Sequence, residues 1–184
     1  MKVRTTVGRL AATLTAMLTI ALAAPAAAQD RFDTKIANEI SKQIERYPQF
    51  TIFDHVTGTV DNGVVTLTGK VTMPFKKNDV GRNAARVEGV RQVVNNIDVL
   101  PVSSYDEDLR LRIARAIYGN SAFWQYGARA NPPIHIIVER GHVTLTGVVN
   151  SNVDRMLARS LATGFGELSV TNALRTDAEM RSEP

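Results

Sequence analysis

At 184 residues the chain has room for one or two domains, and an apolar share of 44% is ordinary for a globular protein. The absence of cysteine excludes disulfides, thiolate metal sites, a catalytic thiol and lipid attachment to an N-terminal cysteine. The formal charge of +4 shrinks to 19 basic against 18 acidic residues once Lys2, Arg4 and Arg9 are set aside, which argues against a nucleic-acid binder held by bulk charge.

Those three cations belong to an expected export signal over residues 1–28. They form its basic start, Leu10 to Ala24 is apolar and uncharged, and Ala26-Ala27-Ala28 offers a cleavage site before Gln29. The apolar core is short for a membrane span of about 20 residues. Cleavage and departure from the cytoplasm are therefore expected.

Residues 32–47 have the spacing of an amphipathic helix, with Phe32, Ile36, Ile40 and Ile44 recurring every four residues. Asp33 or Thr34 can cap its start, and Pro48 ends it. Strands are expected at 55–61 and 64–71. Val56, Gly58 and Val60 alternate in the first. Val65, Leu67 and Val71 alternate with Thr66, Thr68 and Lys70 in the second. Asn62-Gly63 between them signals a type I′ hairpin turn. Gly69 suggests a bulge or a close backbone approach. Met73-Pro74-Phe75-Lys76-Lys77 reads as a loop into a helix over 77–88, capped by Asn78 or Asp79. Val80, Ala84 and Val87 face inward there, and Glu88-Gly89 stops it. Val90, Val93, Val94, Ile97 and Val99 make a third strand. The unit is α-β-β-α-β, with two helices on one face of a three-stranded mixed sheet. Thr57, Thr59, Thr66 and Thr68 point to the other face.

The hairpin then recurs. Gly63–Val71 and Gly141–Val149 agree at seven of nine positions, at an offset of 78. Residues 100–105 form a linker, and the second unit covers 106–176. Leu109, Ile113 and Ile117 align with Phe32, Ile36 and Ile40 at an offset of 77, which places Trp124 opposite Tyr47 and leaves one extra residue before the hairpin. Ile134, Ile136 and Val138 alternate, and Arg140-Gly141 takes the turn. A helix is expected over 152–163, with Val153, Met156, Leu157, Ser160 and Leu161 as its repeating residues. Gly166 matches Gly89, Leu168, Val170 and Leu174 build the last strand, and Asn172 matches Asn95. Residues 177–184 are polar and expected to be disordered. The fold class is α+β, with two tandem units that should pack together through sheets or helices, since each is near the small end for folding alone.

A unit of this order, built around Gly63, Val65, Leu67, Gly69 and Val71 and then Gly89, Val90, Val93 and Asn95, resembles the BON domain. The second copy offers Gly141, Val143, Leu145, Gly147 and Val149, then Gly166, Val170 and Asn172, with Glu167 in place of Val90. A signal segment followed by two such units is similar to dual-BON periplasmic proteins of Gram-negative bacteria. Lacking the lipoprotein cysteine, the chain is similar to their soluble kind. The resemblance implies a periplasmic, non-enzymatic protein that binds phospholipid or membrane surface and supports envelope integrity under osmotic or other stress. The motif residues themselves are mostly structural and identify the fold better than the function.

Two stretches suit an anionic phospholipid surface. Phe123, Trp124 and Tyr126, beside Arg110, Arg112, Arg115 and Arg129, combine half-apolar rings with cations. The alternative is that Trp124 packs under the helix end, as Tyr47 would in the first unit, and that the arginines form a solvated face. Phe75 with Lys76 and Lys77 is the second stretch, and its alternative is a lid on the core with solvated lysines. A rival partner is an envelope protein, engaged through threonine-rich sheet faces or strand edges in the manner of an adaptor or chaperone. His55, His135 and His142 lack metal-pair spacing. No G-x-S-x-G, phosphate loop or paired carboxylates occur. No catalytic residue, metal or cofactor is expected.

Overall fold

The computed structural model describes residues 23–129 and 131–182. The expected export signal lies outside the described residues up to residue 22, and from Ala23 the backbone is helical. Unit one comprises α1 (Ala23–Glu45), β1 (His55–Asp61), β2 (Val64–Val71), α2 (Pro74–Ala85) and β3 (Gln92–Val99). Unit two comprises α3 (Ser104–Tyr118), a 3-10 turn (Ser121–Phe123), α4 (Trp124–Gly127), β4 (Ile134–Glu139), β5 (His142–Val149), α5 (Asn152–Leu161), β6 (Ser169–Thr176) and α6 (Asp177–Ser182). Each sheet is three-stranded and mixed: β1 runs antiparallel to β2 and β4 to β5, while β3 runs parallel to β2 and β6 to β5.

The period-2 pattern decides which face is buried. Val65, Leu67 and Val71 join Ile97 from β3 against Ile36 and Ile40 of α1 and Val80 and Ala84 of α2. Val143, Leu145, Val149 and Leu174 do the same in unit two, against Leu109, Ile113 and Ile117 of α3 and Ala158 of α5. Gly69 (φ 126°) and Gly147 (φ 114°) mark a close backbone approach. A Cβ there would stand 2.1 Å from the His55 carbonyl oxygen and 1.8 Å from that of Pro133. Asn95 and Asn172 donate from their amides to the carbonyls of Lys77 and Arg155, both at 2.8 Å, tying the third strand to the second helix in each unit.

The helix alignment requires correction. Asp33 accepts the N–H groups of Asn62 and Gly63 at 2.7 and 3.0 Å, and Asp106 accepts those of Arg140 and Gly141, both at 2.8 Å. Each aspartate thus pins its own hairpin turn, and the two lie 73 residues apart. Ile36, Ile40 and Ile44 therefore correspond to Leu109, Ile113 and Ile117. A four-residue repeat looks the same after a slip of one turn, so apolar spacing alone could not choose. The remaining five residues are taken up by the 3-10 turn and α4, which unit one lacks.

Boundaries also move: α1, expected from residue 32 with Asp33 or Thr34 as its cap, is already helical at Ala23, and the third strand starts at Gln92 and not at Val90. The helix expected over 77–88 begins at Pro74, whose fixed φ and missing N–H suit the first helical position. The linker expected over 100–105 is shorter, because Ser103 caps α3 by accepting the Asp106 N–H, and Tyr105 is helical. Leu168, expected in the last strand, precedes β6 and is 72% exposed. The tail expected to be disordered forms α6. Thr176 and Glu179 exchange side chain-to-backbone bonds at 2.8 and 3.2 Å, a capping box, and Arg155 pairs with Glu179 at 3.0 Å.

The two units meet along a seam. The loop Phe50–Asp54 of unit one docks on β4, where Ile52 accepts the Ile136 N–H at 2.7 Å. Phe53 packs on the core of unit two. His55 and Lys70, cross-strand partners in unit one, reach over the open face of the second sheet. Lys70 pairs with Glu139, and His55 lies 3.4 Å from the Thr146 hydroxyl. Ile137, between His135 and Glu139 on that face, is only 6% exposed. Asn131 of unit two donates its side-chain amide to the Glu45 carbonyl, closing the C-terminal end of α1.

Candidate functional site

In unit two the chain leaves α3 at Gly119, and Asn120 caps the 3-10 turn by accepting the Ala122 N–H at 3.0 Å. Phe123 and Tyr126, three residues apart, share the inner side of this turn and are fully buried, with ring centroids 5.6 Å apart. The Tyr126 hydroxyl donates to Asp154 at 2.7 Å and accepts the Asn150 N–H at 2.8 Å, which clamps α4 onto the start of α5. Burial and the neighbouring Asp154 carboxylate push the Tyr126 phenol up to about 12. Both rings are therefore core and not surface contacts. Trp124, on the outer side of the same turn, is 75% exposed and does not pack under the helix end.

The arginines divide. Arg110 is buried and donates from Nη2 to the Val138 carbonyl at 2.7 Å. Burial lowers its pKa, against the opposing pull of Asp106, Glu107 and Asp54. It is a strut between α3 and β4 and cannot reach a lipid headgroup. Arg112 is half-buried and pairs with Asp108 at 2.9 Å one turn earlier. Arg115 and Arg129 are exposed, and the Arg129 guanidinium carbon stands 6.0 Å from the Tyr126 ring centroid, a cation–π distance.

The unit-one stretch is not a loop, since Phe75, Lys76 and Lys77 occupy the first turn of α2. Lys76 is buried. Its ammonium donates to Asp54 at 2.7 Å and to the Thr72 hydroxyl at 2.8 Å. Asp54 is fully buried and also accepts the N–H and hydroxyl of both Thr51 and Thr72. Burial alone would raise the Asp54 pKa, but the bonds from Lys76, Thr72 and Thr51 hold it below the usual carboxylate range. Lys77 is half-buried, and Phe75 is exposed beside Met73. Val153, 78 residues beyond Phe75, stands at the matching place in α5. It and Met156 are each 72% exposed, although their spacing placed them on the repeating stripe of that helix. Composition gave no sign of these two as surface residues. The signal is that the buried α5 side is made by small residues, Ala158 and Ala162.

Unit two thus presents Trp124, Val153 and Met156 as exposed apolar side chains, with Arg115 and Arg129 as exposed cations. A shallow apolar groove of about 600 Å³ lies between α3 and the docking loop, lined by Ile52, Phe53, Leu111, Ala114, Arg115 and Tyr118 among others. Among the described residues no three histidines or carboxylates gather as a metal cluster, and no helix is long and apolar enough to cross a membrane.

No curated protein matches the chain. Solved structures similar to it include two of CdsD, a structural protein of the type III secretion system of Chlamydia trachomatis. The first is 15% identical, covers 82% of this chain and 99% of its own, and has a TM-score of 0.28. The second, the C-terminal domain, is 14% identical, covers 72% and 94%, and has a TM-score of 0.25. At TM-scores this low neither likeness bears on function. The model of the BON domain family matches twice, over residues 32–101 and 106–178, the same two stretches that fold as α-β-β-α-β units around the paired hairpins. The chain belongs to the BON domain family and carries two BON domains in tandem.

Proposed function

We propose that this is a non-enzymatic, exported protein that lays its second BON domain on an anionic phospholipid surface and so supports the cell envelope under stress. One observation carries the reading. The single tryptophan of the chain stands 75% exposed on a turn held rigid from beneath by Phe123 and Tyr126. An exposed indole is costly in water and suited to the interfacial zone of a bilayer, and a preformed turn loses little freedom when it inserts. Each of the exposed Arg115 and Arg129 would add about 1 kcal/mol near an anionic surface. Phe75 of unit one, with the half-buried Lys77, is a second and weaker contact; Phe123, Tyr126, Arg110 and Lys76 take no part.

Trp124 is also the reporter. Its fluorescence should shift to the blue, and the protein should sediment, with phosphatidylglycerol or cardiolipin vesicles at low salt but not with phosphatidylcholine vesicles. Trp124→Ala and Arg129→Ala should weaken sedimentation. Equal recovery with and without anionic vesicles would rule the reading out. A protein partner is the second reading, favoured by the exposed Thr57, Thr59 and Thr68 on the open face of the first sheet, next to the unpaired outer edge of β1. Crosslinks to envelope proteins in the absence of vesicle binding would support it.

A further inference from the structure

The seam holds two of the three histidines of the chain at its centre. The His55 and His135 rings approach to 5.9 Å between centroids, and Phe50 closes over His135 at 5.7 Å. The His135 Nδ1 is buried with no hydrogen-bond partner. His55 belongs to unit one and His135 to unit two, so the pair exists only while the units are docked. We propose that the seam is an acid-sensitive joint: protonation of His55 and His135 undocks the two BON domains without unfolding either.

The carboxylates around the rings are already engaged by other partners. Asp54, in the docking loop, already accepts five hydrogen bonds, one of them from Lys76 at the start of α2. Its charge is felt at His135 and at Arg110 on α3. From β2 comes Lys70, a cation, and from β4 Glu139, which is paired with that lysine. From β5 comes Thr146, which is uncharged. Putting one proton on each ring would place two cations about 6 Å apart in a half-buried seam, a like-charge pair that burial makes worse. Both pKa values are accordingly lowered. For His55 burial leads and His135 adds; for His135 burial outweighs the raising pull of the Thr51 and Asp54 carbonyls and the Asp54 carboxylate. The docked form therefore binds fewer protons than the undocked form. Docking is fully supported above the ordinary histidine pKa of about 6.5 and is lost as pH falls below it. What remains to join the units is the Leu100–Ser103 segment, where Val102 is fully exposed.

The chain lacks cysteine, so Thr59→Cys and Ser160→Cys, both at exposed sites, can carry a dye pair that reads the distance between units. Transfer efficiency should fall as pH drops from 7.5 to 5 while the far-ultraviolet circular dichroism holds. The His55→Phe/His135→Phe protein should stay docked over the same range. A flat profile in the parent protein, an equal fall in the double variant, or loss of dichroism in step with the dyes would each overturn the proposal. If the double variant does not fold, histidine proton resonances of the parent decide. His55 and His135 must titrate below the ordinary histidine value of about 6.5 and together with the dye signal; titration at or above that value refutes the joint.

Discussion

At the scale of single residues, Asp54 and Lys76 show how strongly context overrides residue type. A lysine beside another lysine reads as solvated or as a contact for a charged surface, yet Lys76 lies 5% exposed on a carboxylate that is itself fully buried. Removing one member leaves an uncompensated charge in the interior, so Lys76→Met should cost about 3–5 kcal/mol in urea unfolding. Acid should act on the same pair. The folded-state pKa of Asp54 is lowered, so its contribution is complete above the ordinary carboxylate range and is lost as pH falls through the lowered value. Phe123→Ala should cost about 3–5 kcal/mol because it empties a core position, whereas Trp124→Ala should stay within about 0.5 kcal/mol; thermal or denaturant unfolding of the pair checks both. The three-residue spacing of Phe123 and Tyr126 was available in the sequence as a sign of one buried face. The burial of Lys76 and Arg110 was not, because each depends on a partner distant in sequence, Asp54 and the Val138 carbonyl.

At the scale of elements, the first hairpin was legible to the residue and the helices were not. Strands expected at 55–61 and 64–71 are those observed, since alternation and an Asn-Gly turn specify both face and register. Helix starts depend on local caps and first-turn residues that apolar spacing does not mark: Pro74, Ser103 and the Thr176–Glu179 box. The one-turn slip in aligning α1 with α3 has the same origin, because the marker that fixes it is a polar contact from Asp33 or Asp106 to a hairpin turn. The short α6 offers a direct check. Glu179→Ala removes both the cap and the ion pair to Arg155, and should loosen α6 locally. Amide exchange should quicken in α6 while the core of unit two keeps its protection.

At the scale of the whole molecule, two similar units have diverged in what they present. The His55–Lys70 end of the unit-one threonine face lies against part of the matching face of unit two, leaving Thr57, Thr59 and Thr68 exposed, and unit two offers Trp124, Val153 and Met156 to the outside. The repeat was legible, but the exposure of Trp124 was not, because the extra α4 turn has no counterpart to align with. If unit two binds vesicles through Trp124, Arg115 and Arg129, binding should weaken as ionic strength rises from about 0.01 to 0.15 M, over which the screening length shrinks from about 30 to 8 Å. Sedimentation across a salt series measures this. The bond from Asn131 to the end of α1 has a temporal consequence. A chain built from its N-terminus must wait for 86 more residues after Glu45 before its first helix is sealed. Until then that exposed carbonyl is left to water, so one polar contact at the edge of the leading domain is made by the trailing one.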